Sequence, residues 1–333
     1  MLDVITLGTI TVDLFLESNL FKPFHNPSLP KKEFPTGNAE CFSLGSKLYV
    51  DALSQFVGGD ATNAGVTFAR QGFQVGFVGK IGMDLNTKFV QERLKKEKIK
   101  FLTKTYSKKQ LDTSVILLSP TGERTILVSR GASTDFSAKD IPAVKAKWWY
   151  IAPGQISPTV ILNLVKKLKK EHTNIAFNPS GHYIKNEMSA LKNICRYADI
   201  VIANREEGAK ITDKSYEKMK EIFKAFDAMI PGIAVLTDGP RGAFVSDGRM
   251  MYKSLPCKEK KLVDRTGAGD AFGAGFVAGF IQKNDIGYAL RLASANATSV
   301  VEHLGAQDGI LSKKDFSSPR WNYVDMDVDS LHS

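Results

Sequence analysis

From residue 148 to residue 301 the chain alternates short β-branched runs with longer stretches of helical period, and that alternation admits few architectures. Strands are expected at 148–152, 174–178, 199–203 and 233–237, and helices at 158–170, 186–195, 269–282 and 286–301. Repeated strand–helix units need right-handed crossovers, so the strands form a parallel sheet with helices on both faces. The opening run 3–12 (DVITLGTITV) is apolar and β-branched, and reads as one buried strand of that sheet with Asp13 at its carboxyl end. Open α/β sheets bind ligands just outside the carboxyl ends of their strands, which makes Asp13 a candidate for gripping hydroxyls; a turn or cap residue is the alternative.

Between 14 and 50 the pattern loosens around Pro23, Pro27, Pro30 and Pro35. A structureless loop of that length is uncommon in a compact domain, so strands are expected near 14–16 and 41–49, in a second and smaller layer. Two further strands, 113–118 and 124–129, flank Ser119-Pro120-Thr121-Gly122-Glu123 and form a hairpin by turn chemistry, joining the same layer. The stretch from Ser312 has no clear period.

The chemistry concentrates in 262–276, LVDRTGAGDAFGAGF. Gly267, Ala268 and Gly269 precede an apolar run of helical spacing, so they stand where a helix leaves its first N–H groups unpaired and phosphate oxygens approach backbone. Asp270 would repel such an anion unless it takes the proton of a hydroxyl that attacks it. The alternative is a glycine-rich turn whose Asp caps the helix. Gly58-Gly59 open another helix and allow close approach of a ligand, with the Asn63 amide in the first turn; a plain loop-to-helix turn reads the same way. Asn204 and Glu207, three apart on one helix face, fit either a hydrated magnesium ion or a capping box. Thr237-Asp238-Gly239-Pro240-Arg241-Gly242 ends a strand in a turn that can line a nucleotide pocket. Residues 75–82 (VGFVGKIG) space their glycines wrongly for a dinucleotide or Walker loop.

Charge and cysteine content exclude other classes. The formal charge of +10 lies mostly in lysine clusters, 95–100 and 166–170, on the polar faces and ends of expected helices, so nucleic-acid binding is not expected. Three separated cysteines give neither a disulfide framework nor a zinc site and fit a reducing compartment. The first residues lack a signal-peptide pattern, and the longest apolar run, 271–281, is too short to cross a bilayer, so a cytoplasmic protein without membrane contact is expected.

Taken in order, Gly58-Gly59 with Asn63, Asn204 with Glu207, Thr237-x-Gly239 with Gly242, and above all Asp264-x-Thr266-Gly267-Ala268-Gly269-Asp270 make the chain resemble the ribokinase/PfkB family of ATP-dependent small-molecule kinases, from Asp3 to about Ile310. The resemblance implies a ribokinase-like three-layer α/β/α sandwich with a mainly parallel central sheet and a small β lid. It divides the chain into an α/β unit (1–13, 51–100 and 130–311), a lid (14–50 and 101–129) and a tail, 312–333, of unassigned order. It implies Asp270 as general base and Gly267, Ala268 and Gly269 as the anion hole. Asp13, Gly58, Gly59 and Asn63 would bind the acceptor, and Asn204 and Glu207 would position Mg²⁺ through water. Thr237, Gly239, Gly242 and Asn296, with Asn204, would lie near ATP. Asp264 stands where the family often holds a monovalent cation such as K⁺; bracing the loop is its other reading. Asp60 departs from the lysine often found after the twin glycines, and Arg130 is placed to meet an anionic substrate group.

The expectation is a kinase phosphorylating a sugar hydroxyl. A nucleoside kinase of the same family is the alternative, to be favoured by aromatic lining from Phe15, Phe42 or Phe56, and a non-catalytic nucleotide-binding module is a remoter one. A homodimer through lid strand edges is expected.

Overall fold

The computed structural model describes residues 1–30, 38–103, 105–120 and 124–331. Chain order begins with β1 (Leu2–Gly8), β2 (Thr11–Glu17), β3 (Phe24–His25), β4 (Asn38–Ala39) and β5 (Ala52–Gly58), followed by α1 (Asp60–Arg70), β6 (Val75–Val78), α2 (Leu85–Lys96) and β7 (Lys100–Phe101). Then come β8 (Asp112–Leu118), β9 (Arg124–Ser129), β10 (Ala146–Ala152), α3 (Pro158–Lys170), β11 (Asn174–Phe177), α4 (Gly181–Asn186), α5 (Met188–Cys195) and β12 (Ile200–Asn204). The chain continues through α6 (Arg205–Thr212), α7 (Met219–Asp227), β13 (Ile233–Thr237), β14 (Ala243–Ser246), β15 (Met250–Ser254), α8 (Ala268–Lys283), α9 (Ile286–Val301), α10 (Lys313–Phe316) and β16 (Met326–Ser330).

One ten-stranded sheet runs in the order β16-β15-β14-β13-β12-β11-β10-β1-β6-β7. From β7 to β13 every pairing is parallel, and β14, β15 and β16 add antiparallel strands at one edge. The parallel strands are apolar on both faces because both faces are covered. In β12, Ile200 and Ile202 pack with the α1, α8 and α9 side, whereas Val201 and Ala203 pack with α3, α5 and α7. β13 repeats the alternation with Ile233 and Val235 against Ala234 and Leu236, which is the period-two signature of a strand between two helix layers. The α8–α9 contact is close because Gly275 and Gly279, one turn apart, face Ala293 and Ala289.

The lid is a four-stranded sheet, β5-β2-β8-β9, with β8 parallel to β2 and the other pairs antiparallel. Its hairpin strands match the sequence expectation; positions 121–123 of the turn lie outside the described residues.

Several expectations change. The opening run is not one strand: β1 ends at Gly8, and Thr11–Glu17 climbs into the lid, so Asp13 is a lid residue between Phe56 and Ser114. Both halves are buried and β-branched, and periodicity alone cannot mark the break. No strand forms at 41–49, which is exposed; the lid strand there is β5, tied to β2 by an edge-on contact of Phe15 and Phe56 at 5.5 Å. β5 therefore moves from the α/β unit to the lid, and β7 moves from the lid to the main sheet. The helix expected at 186–195 is α5, which begins at Met188, and a short unexpected helix, α4, precedes it across Glu187. Through Leu331 the tail is ordered: a Ser312–Asp315 capping box opens α10, Trp321 is buried under Arg320, and β16 pairs with β15. Cys41, Cys195 and Cys257 are all free thiols. Among the described residues no helix is long and apolar enough to cross a membrane.

Candidate active site

The carboxyl ends of β1, β10, β11, β12 and β13 open on one side of the sheet, and there the N-termini of α1 and α8 meet the lid. Two adjoining cavities result. The first, about 580 Å³, is polar and holds Asp13, Asp60, Asn63, Asn178, Glu207 and Asp270. The second, about 420 Å³, is mainly apolar, with Leu255, Pro256, Leu262, Phe272, Ala297 and Val301 in its wall. Thr237 and Gly269 line both, so the loop before α8 stands at the junction.

Backbone constraints set the loop. Asp264 is buried; its Oδ1 accepts from the Thr266 N–H (2.9 Å) and hydroxyl (2.7 Å), and its Oδ2 from the Gly305 N–H (3.1 Å). Gly267 then takes φ 76°, a left-handed conformation that side chains resist, and starts α8. Asp270 thus falls in the first turn, where Asn63 Nδ2 donates to its Oδ2 at 2.9 Å. Asn63 Oδ1 in turn accepts from Gln307 Nε2 at 3.0 Å, so α1, α8 and the segment after α9 fix one another.

The entry to α1 is equally determined. Gly59, at φ 99°, passes so close to β1's end that a Cβ would lie 2.5 Å from the Thr9 carbonyl oxygen. A Cβ on Gly58 would overlap Asp13 Oδ2 at 2.0 Å. Gly58 is therefore the space that Asp13 occupies and does not itself line the cavity, which corrects its expected contact with substrate.

Burial dominates the electrostatics. Asp270 is pushed well above the usual carboxylate range, first by desolvation and then by the charges of Asp60 and Asp13, with the Asn63 hydrogen bond opposing. Asp13 is raised by the same desolvation, opposed by the hydroxyls of Thr11 and Ser114. A carboxylate so raised is a stronger base than an exposed one.

A family model described as pfkB family carbohydrate kinase matches residues 36–314. The chain belongs to the pfkB family of carbohydrate kinases. A cytidine kinase of Thermococcus kodakarensis is 29% identical over 74% of this chain and 88% of its own length. An uncharacterised sugar kinase of Archaeoglobus fulgidus is 25% identical over 73% of this chain and 97% of its own. Arabidopsis thaliana ribokinase, solved with ribose and ATP, superposes with a TM-score of 0.75 at 18% identity, covering 97% of this chain and 99% of that one. The expected ribokinase-like α/β/α sandwich with its lid is the architecture found.

In this pfkB-family kinase the remaining candidates divide. Asn204 and Glu207 form a reciprocal capping box, each side chain accepting the other's N–H at 2.9 Å, and both still line the polar cavity. Burial raises Glu207, whose carboxylate the cap fixes in the cavity that Gly267 and Gly269 also line. Gly239 and Gly242 line the apolar cavity with Thr237, and Ala268 lies there rather than with Gly267 in the polar one.

Two assignments change and one narrows. Asn296 is fully buried, bonding the Ala271 carbonyl, Thr67 and the Leu311 N–H, so it struts α1, α8 and α9; its neighbours Ser294, Ala297 and Thr298 line the apolar cavity. Asp264 braces the loop, both oxygens engaged by N–H and O–H donors, which is the second of its two readings from sequence. Arg130 lines the polar cavity, but its guanidinium is turned to buried Asp112 at 3.4 Å rather than left free for an anion. Sequence reading passed over Asn178, Ser180 and His182 in the cavity wall. Their signal was position alone, immediately after a parallel strand.

Proposed function

We propose that this kinase transfers the γ-phosphoryl group of ATP to a hydroxyl of a small sugar or related polyol. The reading rests on the lining of the polar cavity, where Asp13, Asn63, Ser114, Asn178 and Asp270 offer hydrogen bonds to a polyhydroxylated acceptor and His182 is the sole aromatic ring among the described lining residues. The aromatic platform that a base would need is elsewhere: Phe15 is buried against Phe56, and Phe42 packs on Phe21. The apolar cavity has the character expected for adenine, and the loop between the cavities lies where the triphosphate would pass.

In this mechanism Asp13 and Asn63 orient the acceptor, and Asp270 takes the proton from its reacting hydroxyl. That oxygen forms a bond to the γ-phosphorus while the bond from phosphorus to the β–γ bridging oxygen breaks, releasing ADP. Amides at the start of α8 stabilise the equatorial oxygens during transfer. Magnesium, held through water by Asn204 and Glu207, would neutralise phosphate charge.

A screen of ribose, fructose, fructose phosphates, 2-keto-3-deoxygluconate and nucleosides tests the reading. A sugar is expected to exceed every nucleoside in kcat/KM, and a nucleoside that leads the panel overturns it. The nucleoside reading draws on the likeness to the cytidine kinase, and the same screen decides it. Glu207→Gln should preserve the cap, because a Gln oxygen can still accept the Asn204 N–H, yet raise the Mg²⁺ concentration for half-maximal rate several-fold. An unchanged magnesium titration would leave Glu207 a capping residue alone. Dimerisation through β9, where Ile126, Leu127 and Val128 are exposed at the lid edge, belongs to the same reading and predicts twice the chain mass in light scattering.

A further inference from the structure

The polar cavity carries an unbalanced charge. Among its described lining residues Asp13, Asp60, Glu207 and Asp270 are acids, and Arg130 is the one permanently charged cation. Arg130 is already drawn to Asp112, which is wholly buried and also accepts from the N–H groups of Gly131 and Ser133. Asp60 differs from the other acids. Asp13 is bonded by Thr11, Asp270 by Asn63 and Glu207 by the Asn204 N–H, each with a neighbour that explains its place. The Asp60 carboxylate finds only its own backbone N–H, the attraction of Arg130 acting through space.

Its position is fixed by the backbone. Asp60 is the first residue of α1, directly after Gly59, whose conformation no side chain would share without strain. A helix start stabilises an acid by a few tenths of a kcal/mol, which accounts for tolerance of Asp60 but not for its placement in a cleft with three other acids. Asp60 lines the same cavity as Asp13, Asp270 and Glu207, and its charge raises each of them.

We propose that Asp60 sets the charge of the acceptor: this site takes neutral or cationic polyols and rejects acceptors that already carry a phosphate or carboxylate. The inference rests on the kinase reading above and concerns the acceptor's charge, not its class. An anionic substituent would meet Asp13 and Asp60, and among the described lining residues the one permanent cation to answer it is Arg130, drawn to Asp112 on one side and attracted by Asp60. A hydroxyl donates to the same carboxylates, and an ammonium pairs with them. ATP would escape this repulsion because its phosphates would lie toward the α8 amides, where Asn204 and Glu207 would hold a hydrated metal, away from the acceptor end.

The test uses matched pairs with the full-length kinase, ATP and Mg²⁺: fructose against fructose 1-phosphate, and adenosine against adenosine 3′-monophosphate, whose 5′-hydroxyl stays free. In whichever class turns over, the neutral member should have the higher kcat/KM. Asp60→Asn should narrow that ratio by about ten- to a hundredfold, the worth of one unit charge a few ångströms away in a partly buried site. Asp60→Ser, lacking the charge and smaller, should narrow it similarly, and since each ratio is taken within one variant, a general loss of activity cancels. A wild-type preference for the phosphorylated member, or a ratio unmoved by both substitutions, overturns the proposal. Turnover confined to adenosine, with the neutral preference intact, would overturn the sugar reading and leave the charge rule standing.

Discussion

Asp270→Asn is expected to lower kcat by about 10²–10⁴-fold with ATP binding nearly unchanged. The substitution is well isolated by the structure, because an Asn oxygen can still accept from Asn63 Nδ2 and hold α1 against α8. What disappears is the proton acceptor. The wild-type pH profile carries a second mark of the same group: burial and the neighbouring charges of Asp60 and Asp13 raise Asp270, so the ionised base is populated only at higher pH than an ordinary carboxylate. The acidic limb of kcat/KM should therefore lie above about pH 4, the ordinary carboxylate value, and should move to lower pH in Asp60→Asn. Stability runs the opposite way. A carboxyl raised on folding binds its proton more tightly in the native state, so its contribution is full below the unfolded pKa and lost as pH rises through the folded one. Asp270→Asn removes that loss and should raise Tm at pH 8 while activity collapses. Near-normal turnover, or a melting temperature lowered in step with the rate, would remove Asp270 from the role of base.

Legibility from sequence followed how local the cause was. The βα alternation after residue 148 was readable because each strand and helix carries its own period, and the order β10 to β13 follows from crossover handedness. The loop before Asp270 was readable because its glycines and acid are contiguous. The fate of 11–17 was not, since a buried strand of the main sheet and a buried strand of the lid have the same composition; only the Phe15–Phe56 contact and the pairing with β8 separate them. Asn296 misled for a related reason. Its place near ATP comes from the family resemblance alone, and its burial between three elements becomes visible only when α1 and α8 are in place. β16 hid because MDVDS alternates acids with apolar residues, a weak strand signal that the exposed edge of β15 completes.

The glycine loop divides into positions that shape the backbone and positions that leave room, and two alanine substitutions should separate them. At Gly267 the backbone is left-handed, and a Cβ would lie 2.4 Å from the Ala306 Cβ and 2.7 Å from its Cα. Ala306 is buried and follows Gly305, whose amide is pinned by Asp264, so no flexible side-chain end can yield. Left-handed strain of about 1–2 kcal/mol adds to overpacking of about 1–3 kcal/mol, so Gly267→Ala should lower Tm by several degrees. Relief comes only by moving the loop, and a shift of about 1 Å at the base costs on the order of 100-fold in kcat. Gly269 is different: nothing lies within 4 Å of its would-be Cβ, because that space is where the two cavities join. Gly269→Ala should therefore leave Tm within about one degree, surface changes of this kind being worth under about 0.5 kcal/mol, and still cost activity by placing a methyl group in the path of the phosphates. A thermal melt beside steady-state kinetics on both variants reads the distinction. If Gly269→Ala turns over ATP as the parent does, the junction is not the phosphoryl channel, and the loop's glycines serve the fold alone.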